Sequence, residues 1–418
     1  MSLAQRILAE TFGYDKFRLN QLEVIETLLA GEHALVIMPT AGGKSLCYQI
    51  PAILLDGVGI VISPLISLMQ DQVSALQKLG VSAAFLNSTQ LYFEQKEVID
   101  QLLAGKLDLL YISPERLALP ETLKLLNQTK LALFAIDEAH CISEWGHDFR
   151  KEYRQLFVLS GRYPQTPRIA VSATADQRTR KEIAEQLQLT EAPQFISSFD
   201  RPNISYTISK SGEKLDQLWQ YLASNHPTSS GIIYCQSRKQ VEETVNWLTL
   251  KGRLSLPYHA GLDASYRQQN QKWFMREDNL IMVATIAFGL GVDKPDVRFV
   301  AHLYLPKSIE NYYQETGRAG RDGKPAEAWL HYSQKDISIM QFWINESDVS
   351  ATRRGSQQQK LNDIIKFCRS RKCRRQVLLR YFGETLADPC GNCDNCQRVL
   401  SWHRIKGLLK LISGKFTG

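Results

Sequence analysis

No stretch of this chain stays apolar for the ~18 residues that a membrane-spanning helix needs. The opening Met1-Ser2-Leu3-Ala4-Gln5-Arg6 starts no signal-peptide apolar segment, so the expectation is a soluble, intracellular protein. Low-complexity segments and short tandem repeats are also missing. With 44% hydrophobic and 22% charged residues, an intrinsically disordered chain and a collagen are excluded. Cysteine is scarce, at eight in 418 residues, which excludes a small disulfide-stapled scaffold. Acidic residues are scarce at one end only. Residues 351–418 carry 15 Lys/Arg against 4 Asp/Glu, whereas residues 1–350 carry 35 against 39. A basic end on a slightly acidic body suits a polyanion, most simply nucleic acid, although a solvated basic helix would leave the same signature.

What is present is a repeated α/β pattern. At ~150 residues per domain the length suggests two or three domains. Residues 17–31 read as a helix, with Leu22, Ile25, Leu28 and Leu29 on one face and Gly31 ending it. Short apolar strands follow at 34–38, 59–62, 109–112, 133–136 and 168–171, separated by helical segments. Buried strands alternating with helices predict a parallel sheet covered on both faces. The pattern restarts after the polar joint Ser198-Phe-Asp-Arg-Pro-Asn203, with strands at 231–234, 280–283 and 298–301. Strands disappear after about residue 340, where a basic helical segment leads into the cysteines.

Three groups of residues carry chemistry. Met38-Pro-Thr-Ala-Gly-Gly-Lys-Ser45 lies between a strand and a helix expected from Lys44. Backbone N–H groups of such a turn, those of Thr40, Ala41, Gly42 and Gly43, wrap phosphates at a helix N-terminus. Lys44 reaches the β- and γ-phosphates, and the Ser45 hydroxyl suits Mg²⁺. The strict GxxxxGK[ST] pattern fails only at Met38. Asp137-Glu-Ala-His140 directly follows an apolar strand, which puts two acids where α/β sheets bind ligands. Asp137 suits Mg²⁺ through water, and Glu138 suits deprotonation of an attacking water. Ser172-Ala-Thr174 ends the next strand, with hydroxyls placed to sense the hydrolytic state. The second α/β segment has no phosphate loop but carries Gln314-Glu-Thr-Gly-Arg-Ala-Gly-Arg321. Arg318 and Arg321, three apart, are expected on one helix face, supplying charge to a γ-phosphate.

The third group is Cys368, Cys373, Cys390, Cys393 and Cys396, within 29 residues. In an intracellular chain this reads as a metal site before disulfides. Four thiolates satisfy a structural Zn²⁺, with an iron–sulfur cluster as the minority option. Spacing alone does not choose between Cys368 and Cys373 as the fourth ligand. The stretch Lys366–Arg375 is expected on the helix leading into the cluster, lining a phosphate-binding face.

The order of Phe17-Arg-x-x-Gln21, Met38–Ser45, Ser63–Gln72, Tyr111–Arg116, Asp137–His140, Ser172–Thr174, Tyr258–Gly261, Ala284–Gly289 and Gln314–Arg321 resembles the RecQ family of superfamily 2 helicases, over about residues 5–397. Trp145-Gly-His-Asp-Phe-Arg150 resembles the aromatic-rich loop that separates that family from RNA helicases. The resemblance implies two tandem RecA-like parallel-sheet domains (1–203 and 204–338), a small helical four-cysteine zinc-binding module (339–400) and a basic tail (401–418). It implies an ATP- and Mg²⁺-dependent 3′–5′ DNA helicase acting on single-stranded, tailed or forked DNA in repair and recombination. Such a protein works in the cytoplasm, at the nucleoid of a bacterium or in a eukaryotic nucleus. Tyr14 and Arg18 would sandwich adenine, and Gln21 would bond its edge. Trp145, His147, Phe149 and Arg150 would bind single-stranded DNA. Cys373, Cys390, Cys393 and Cys396 would hold zinc, leaving Cys368 spare. Two positions depart from the pattern, namely Ala41 where glycine is usual and Glu144 where glutamine is usual. Ala41 is expected to alter nucleotide affinity. Only 22 residues follow Cys396, too few for the winged-helix and helical domains that often come next. The rivals are an RNA helicase and a zinc-stabilised annealing protein with a vestigial ATPase.

Overall fold

The computed structural model describes residues 2–39, 42–143, 149–210, 212–289 and 294–399, so the basic tail lies outside the described residues. They form two units, Met1–Phe199 and the chain from Asp200 onward. In the first unit, seven strands run β1 Ala34–Ile37, β2 Val58–Ile62, β3 Ala83–Leu86, β4 Leu109–Ile112, β5 Leu131–Ile136, β6 Arg168–Ser172 and β7 Gln194–Ile196. They form a parallel sheet in the order β3-β4-β2-β5-β6-β1-β7. Strands β1, β2, β4 and β6 are buried along their whole length, as helices cover both faces. That double burial is why they read as unbroken apolar runs rather than alternating ones.

The second unit has β8 Ile204–Ser209, β9 Gly231–Tyr234, β10 Ser255–Tyr258, β11 Ile281–Ala284, β12 Phe299–His302 and β13 Ala326–His331. They too are parallel, ordered β10-β11-β9-β12-β13-β8. Helices Gln334–Glu346, Ala351–Arg369 and Arg374–Tyr381 follow, with no further strand among the described residues. The fold is therefore two RecA-like parallel-sheet units with a helical C-terminal region. Among the described residues no helix is long and apolar enough to cross a membrane.

Four expectations about local structure are corrected. The helix expected over 17–31 is confined to Gln21–Leu29, because Leu19 takes a left-handed φ of 50° and ends any helix there. The helix expected from Lys44 begins at Leu46; Gly43, Lys44 and Ser45 instead form a tight turn of i→i+3 hydrogen bonds. Helix Ile309–Thr316 ends at Gly317, so Arg318 and Arg321 lie on the loop beyond it and share no helix face. The stretch Lys366–Arg375 is likewise broken, at Ser370–Cys373. Its last two arginines are buried, Arg374 at 0% and Arg375 at 5% exposure, so they belong to no phosphate-binding face.

Candidate active site and metal centre

Parallel register brings the chemistry to one sheet edge. Ile37 lies opposite Ser172, and Ile136 opposite both Ile62 and Ala170. The ladder continues past the strand ends, with Met38 N–H donating to Ser172 O and Asp137 N–H to Ile62 O. The phosphate loop, Asp137–His140, Ser63 and Ser172–Thr174 therefore emerge side by side at the C-terminal edge, where such sheets bind ligands. Gly43 sits at φ 77°, and a Cβ there would collide with the Gln21 amide, so the turn requires glycine. Gly42, one of the residues expected to meet phosphate, is held within the turn. Its N–H donates to Pro39 O at 2.9 Å, and its carbonyl accepts from Gln21 Nε2 at 3.3 Å. Gly42 is buried, and a Cβ on it would stand 2.5 Å from Met38 Cγ. Its part is to close the turn over Met38; for its N–H to reach a phosphate, the bond to Pro39 would first have to open. Met38, the residue that breaks the usual loop pattern, is thus fully buried beneath the turn. Thr40 and Ala41 lie outside the described residues.

Glu138 is the pivot of this edge. Its backbone is left-handed, at φ 47°, a conformation that costs a non-glycine residue roughly 1–2 kcal/mol. Its carboxylate lies 3.7 Å from Lys44 Nζ and 3.2 Å from His140 Nδ1. His140 Nδ1 is also 3.0 Å from Ser172 Oγ. The Ser172 hydroxyl donates to Thr174 O, so its oxygen accepts, and His140 must carry its proton on Nδ1. Tyr153, a residue the sequence did not single out, donates to Asp137 O at 2.8 Å. Burial, together with the neighbouring Glu138 charge, pushes the Asp137 carboxyl above its ordinary range. Burial acts on Glu138 in the same sense, but Lys44 and His140 outweigh it and hold its carboxyl well down. Glu138 is thus the more acidic of two adjoining carboxyls, and a cation at Asp137 would offset the burial that raises its proton affinity. Asp137 with the Ser45 hydroxyl is the donor set that suits Mg²⁺.

Beside the start of helix Gln21–Leu29, the Arg18 guanidinium carbon lies 5.9 Å from the centre of the half-exposed Tyr14 ring. That separation is the outer limit of a cation–π interaction. The Gln21 amide accepts from Arg18 N–H at 2.8 Å and donates to Gly43 O at 3.0 Å. It ties the Phe17–Gln21 segment to the Met38–Ser45 turn. Deeper in, Gln49 Nε2 bonds both Gln72 Oε1 and the Tyr111 hydroxyl at 3.1 Å, joining two of the sequence motifs, Ser63–Gln72 and Tyr111–Arg116.

Glu144, Trp145 and His147 lie outside the described residues. Phe149 stacks beneath Arg154, whose guanidinium carbon is 5.4 Å from the ring centre. Arg150 Nη1 donates to Pro64 O at 2.8 Å, and Arg150 N–H donates to Cys141 O. Arg150 thus connects the end of the aromatic-rich loop to the Ser63–Gln72 segment and to the residue after His140.

In the second unit, Arg318 is buried next to Tyr234, and its Nε has no hydrogen-bond partner among the described residues. An unmatched buried donor on a cation suits an anionic ligand. Arg321 is partly buried, and the adjacent Asp322 pairs with Arg298 at 2.7 Å.

Cys373, Cys390, Cys393 and Cys396 place their sulfurs within 4.8 Å of one another. Tetrahedral Zn²⁺, with Zn–S near ~2.3 Å, needs sulfurs roughly 3.8 Å apart, and Cys390 and Cys396 stand 4.0 Å apart. Backbone N–H groups of Cys390 and Arg374 each point at a sulfur, of Cys373 and Cys393 respectively, at 3.3 Å. These donors favour thiolates, so the set fits zinc. Cys368 lies outside the cluster, and burial pushes its thiol up to about 12. Arg374 clamps the ligand loop: Nε and Nη2 hold Asp394 at 2.8 and 3.0 Å, while Nη1 reaches Phe367 O at 2.8 Å.

Comparison with known proteins agrees with this arrangement. Residues 18–183 match the DEAD/DEAH box helicase family, 213–323 the helicase conserved C-terminal domain and 334–397 the RecQ zinc-binding domain. ATP-dependent DNA helicase RecQ of Haemophilus influenzae is 49% identical over 94% of this chain and 63% of its own length. The Bacillus subtilis protein of the same name is 41% identical over 96% of this chain and 68% of its own. The chain therefore spans about two thirds or less of these relatives. Among solved structures, S. cerevisiae Dbp5 bound to RNA and ADP BeF3 superposes with a TM-score of 0.62 at 14% identity, covering 88% of this chain and 98% of that one, a likeness of fold alone. With sequence identity of this order running through both units and the cysteine cluster, the chain belongs to the RecQ helicase family.

Proposed function

We propose that this chain is an ATP-dependent DNA helicase that moves 3′ to 5′ on single-stranded DNA and unwinds tailed or forked duplexes in repair and recombination. The observation that carries this reading is the chain from half-buried Lys44 to the buried Glu138, His140 and Ser172 at the edge of the first sheet. Without nucleotide, Lys44 neutralises Glu138. With phosphates in the loop, Lys44 turns to them, the proton affinity of Glu138 rises, and it becomes a competent base for the attacking water. Asp137 and Ser45 would hold Mg²⁺, which supplies charge neutralisation at the phosphates. Tyr14 and Arg18 would stack on the base, and Arg318 and Arg321 would stabilise charge on the γ-phosphate. Zn²⁺ on the four cysteines would be structural, since all four ligands come from the protein. ATP turnover measured with single-stranded DNA and with RNA of the same sequence tests the reading. Strong stimulation by DNA supports it, and equal stimulation by RNA counts against it.

Arg150 would carry the DNA signal to the nucleotide site, and Trp145, His147 and Phe149 would bind the single strand with it. Arg150→Ala removes the bond to Pro64 O and is expected to cut DNA-stimulated turnover about tenfold or more, with the basal rate nearly unchanged. Trp145→Ala should behave likewise. Equal loss of basal and stimulated rates would make this loop structural.

Phosphate contacts would dominate DNA affinity. With Arg374 and Arg375 withdrawn into the protein, Lys366, Arg369, Arg371 and Lys372 are the exposed cations left in that stretch. For about five neutralised phosphates, single-strand affinity should fall roughly a hundredfold between about 50 and 200 mM salt. It should vary little with base sequence and favour a 3′-tailed duplex over a blunt one. A titration across salt, with tailed and blunt DNA, measures all three. Salt-insensitive binding or equal affinity for blunt duplex would overturn the assignment.

A further inference from the structure

A hydrogen-bond relay runs from the cysteine cluster to the loop that bears Arg318 and Arg321. Arg375 lies two residues after the ligand Cys373. Its Nη2 donates to the carbonyls of Arg201, Pro202 and Ile204 at 3.2, 3.0 and 2.8 Å, and its Nε pairs with Asp200 at 3.2 Å. It thereby fixes the backbone of the joint that opens the second unit. The Arg201 side chain then continues the path. Nη1 donates to Gly317 O at 3.1 Å, and Nη2 to Ala319 O and Gly320 O at 2.9 and 3.1 Å. Those carbonyls follow the end of helix Ile309–Thr316, where no intrahelical donor remains, and a cation there also complements the helix dipole. Asn203 Nδ2 completes the grip, on Gly320 O at 2.8 Å and Lys324 O at 2.9 Å. Contact is tight enough that a Cβ on Gly320, already at φ 56°, would stand 2.5 Å from Asn203 Nδ2.

We propose that Arg375 and Arg201 are positioning residues: through them the cysteine-cluster module sets where Arg318 and Arg321 stand. This rests on the reading of those two arginines as γ-phosphate partners. A planar guanidinium suits the task because it holds three carbonyls in one fixed geometry, which a lysine cannot do. Misplacement of a charge by about 1 Å is enough to lower turnover up to a hundredfold without touching ground-state binding.

The test is steady-state ATPase at saturating single-stranded DNA, combined with affinity for a fluorescent ADP analogue, bound zinc and Tm. The half-buried Arg201 is the primary target, because the buried Arg375 is the harder substitution to fold. Arg201→Ala should lower kcat tenfold or more, leave KM for ATP and analogue affinity within about twofold, and keep one zinc per chain. Arg201→Lys should recover only part of kcat. Adding Arg201→Ala to the Arg318→Ala/Arg321→Ala double variant should cost nothing more, since its effect passes through those two residues. Normal kcat in Arg201→Ala, or a further loss in the triple variant, would overturn the relay while leaving the arginine assignment standing. Normal kcat in both Arg318→Ala and Arg321→Ala would overturn the assignment itself and the relay with it.

Discussion

Glu138→Gln is expected to bind ATP at least as well as the parent chain and to hydrolyse it roughly 10²–10⁴-fold more slowly, the range that a positioned general base supplies. The substitution keeps the shape and removes only the charge. Glutamine occupies the left-handed conformation at φ 47° about as readily as glutamate, so no new backbone strain enters. Lys44, 3.7 Å from the carboxylate, loses its internal partner and becomes more available to phosphate. Lys44→Ala differs, because it removes the phosphate contact itself and weakens both binding and turnover. Binding of a fluorescent nucleotide beside DNA-stimulated ATPase separates the two variants. Near-normal turnover in Glu138→Gln would move the role of base to another group.

Replacement of Cys393 by serine, or of Cys373, Cys390 or Cys396, is expected to abolish stoichiometric zinc and unfold the ligand loop. The loop between Asp388 and Gln397 has few buried apolar side chains beyond its own cysteines, so metal and polar contacts must order it. Structural Zn²⁺ in small modules contributes about 10–16 kcal/mol of apparent binding energy, most of which is folding energy. The Arg374–Asp394 clamp does not replace it. With the loop disordered, the aspartate would return to water and leave the fully buried guanidinium unpaired, itself costly. Cys368→Ser should keep one zinc per chain and lose only the ~1–3 kcal/mol that an unmatched buried hydroxyl costs. Metal analysis and thermal unfolding of the variants decide this. A zinc-free Cys368→Ser, or a fully loaded Cys393→Ser, would contradict the assignment.

What the sequence made legible follows from burial. Strands β2, β4, β5, β6 and β9 lie inside covered sheets, so they read as continuous apolar runs. Strand β7 is a short edge strand with two exposed residues, β8 alternates buried and half-buried, and β10 contains Pro257, so none stood out from a loop. Lys44, Asp137 and Glu138, which the structure brings to one sheet edge, stood out in the sequence because a strand end precedes them. The phosphate loop was legible as a loop, but not the bond that turns the Gly42 N–H inward to Pro39 O. Tyr153, Gln49 and Arg201 carry no local signature, since each acts on a residue distant in the chain. Arg318 and Arg321 were recognised by type, but Gly317 ends their helix before it reaches them. Cys368 and Cys373 are equivalent by spacing. Only the turn at Ser370–Cys373 separates the core thiol from the ligand.

The strand order also governs how the chain is born. Strand β1, which delivers the phosphate loop, pairs on one side with residues 169–172 and on the other with 194–196. At ~5–20 residues per second, a ribosome finishes those partners roughly seven to thirty seconds after β1 itself. Through that interval an apolar strand with two open edges waits without its neighbours, a natural client for a chaperone. A nascent chain halted before Arg168 would therefore possess no nucleotide pocket at all, rather than a weak one.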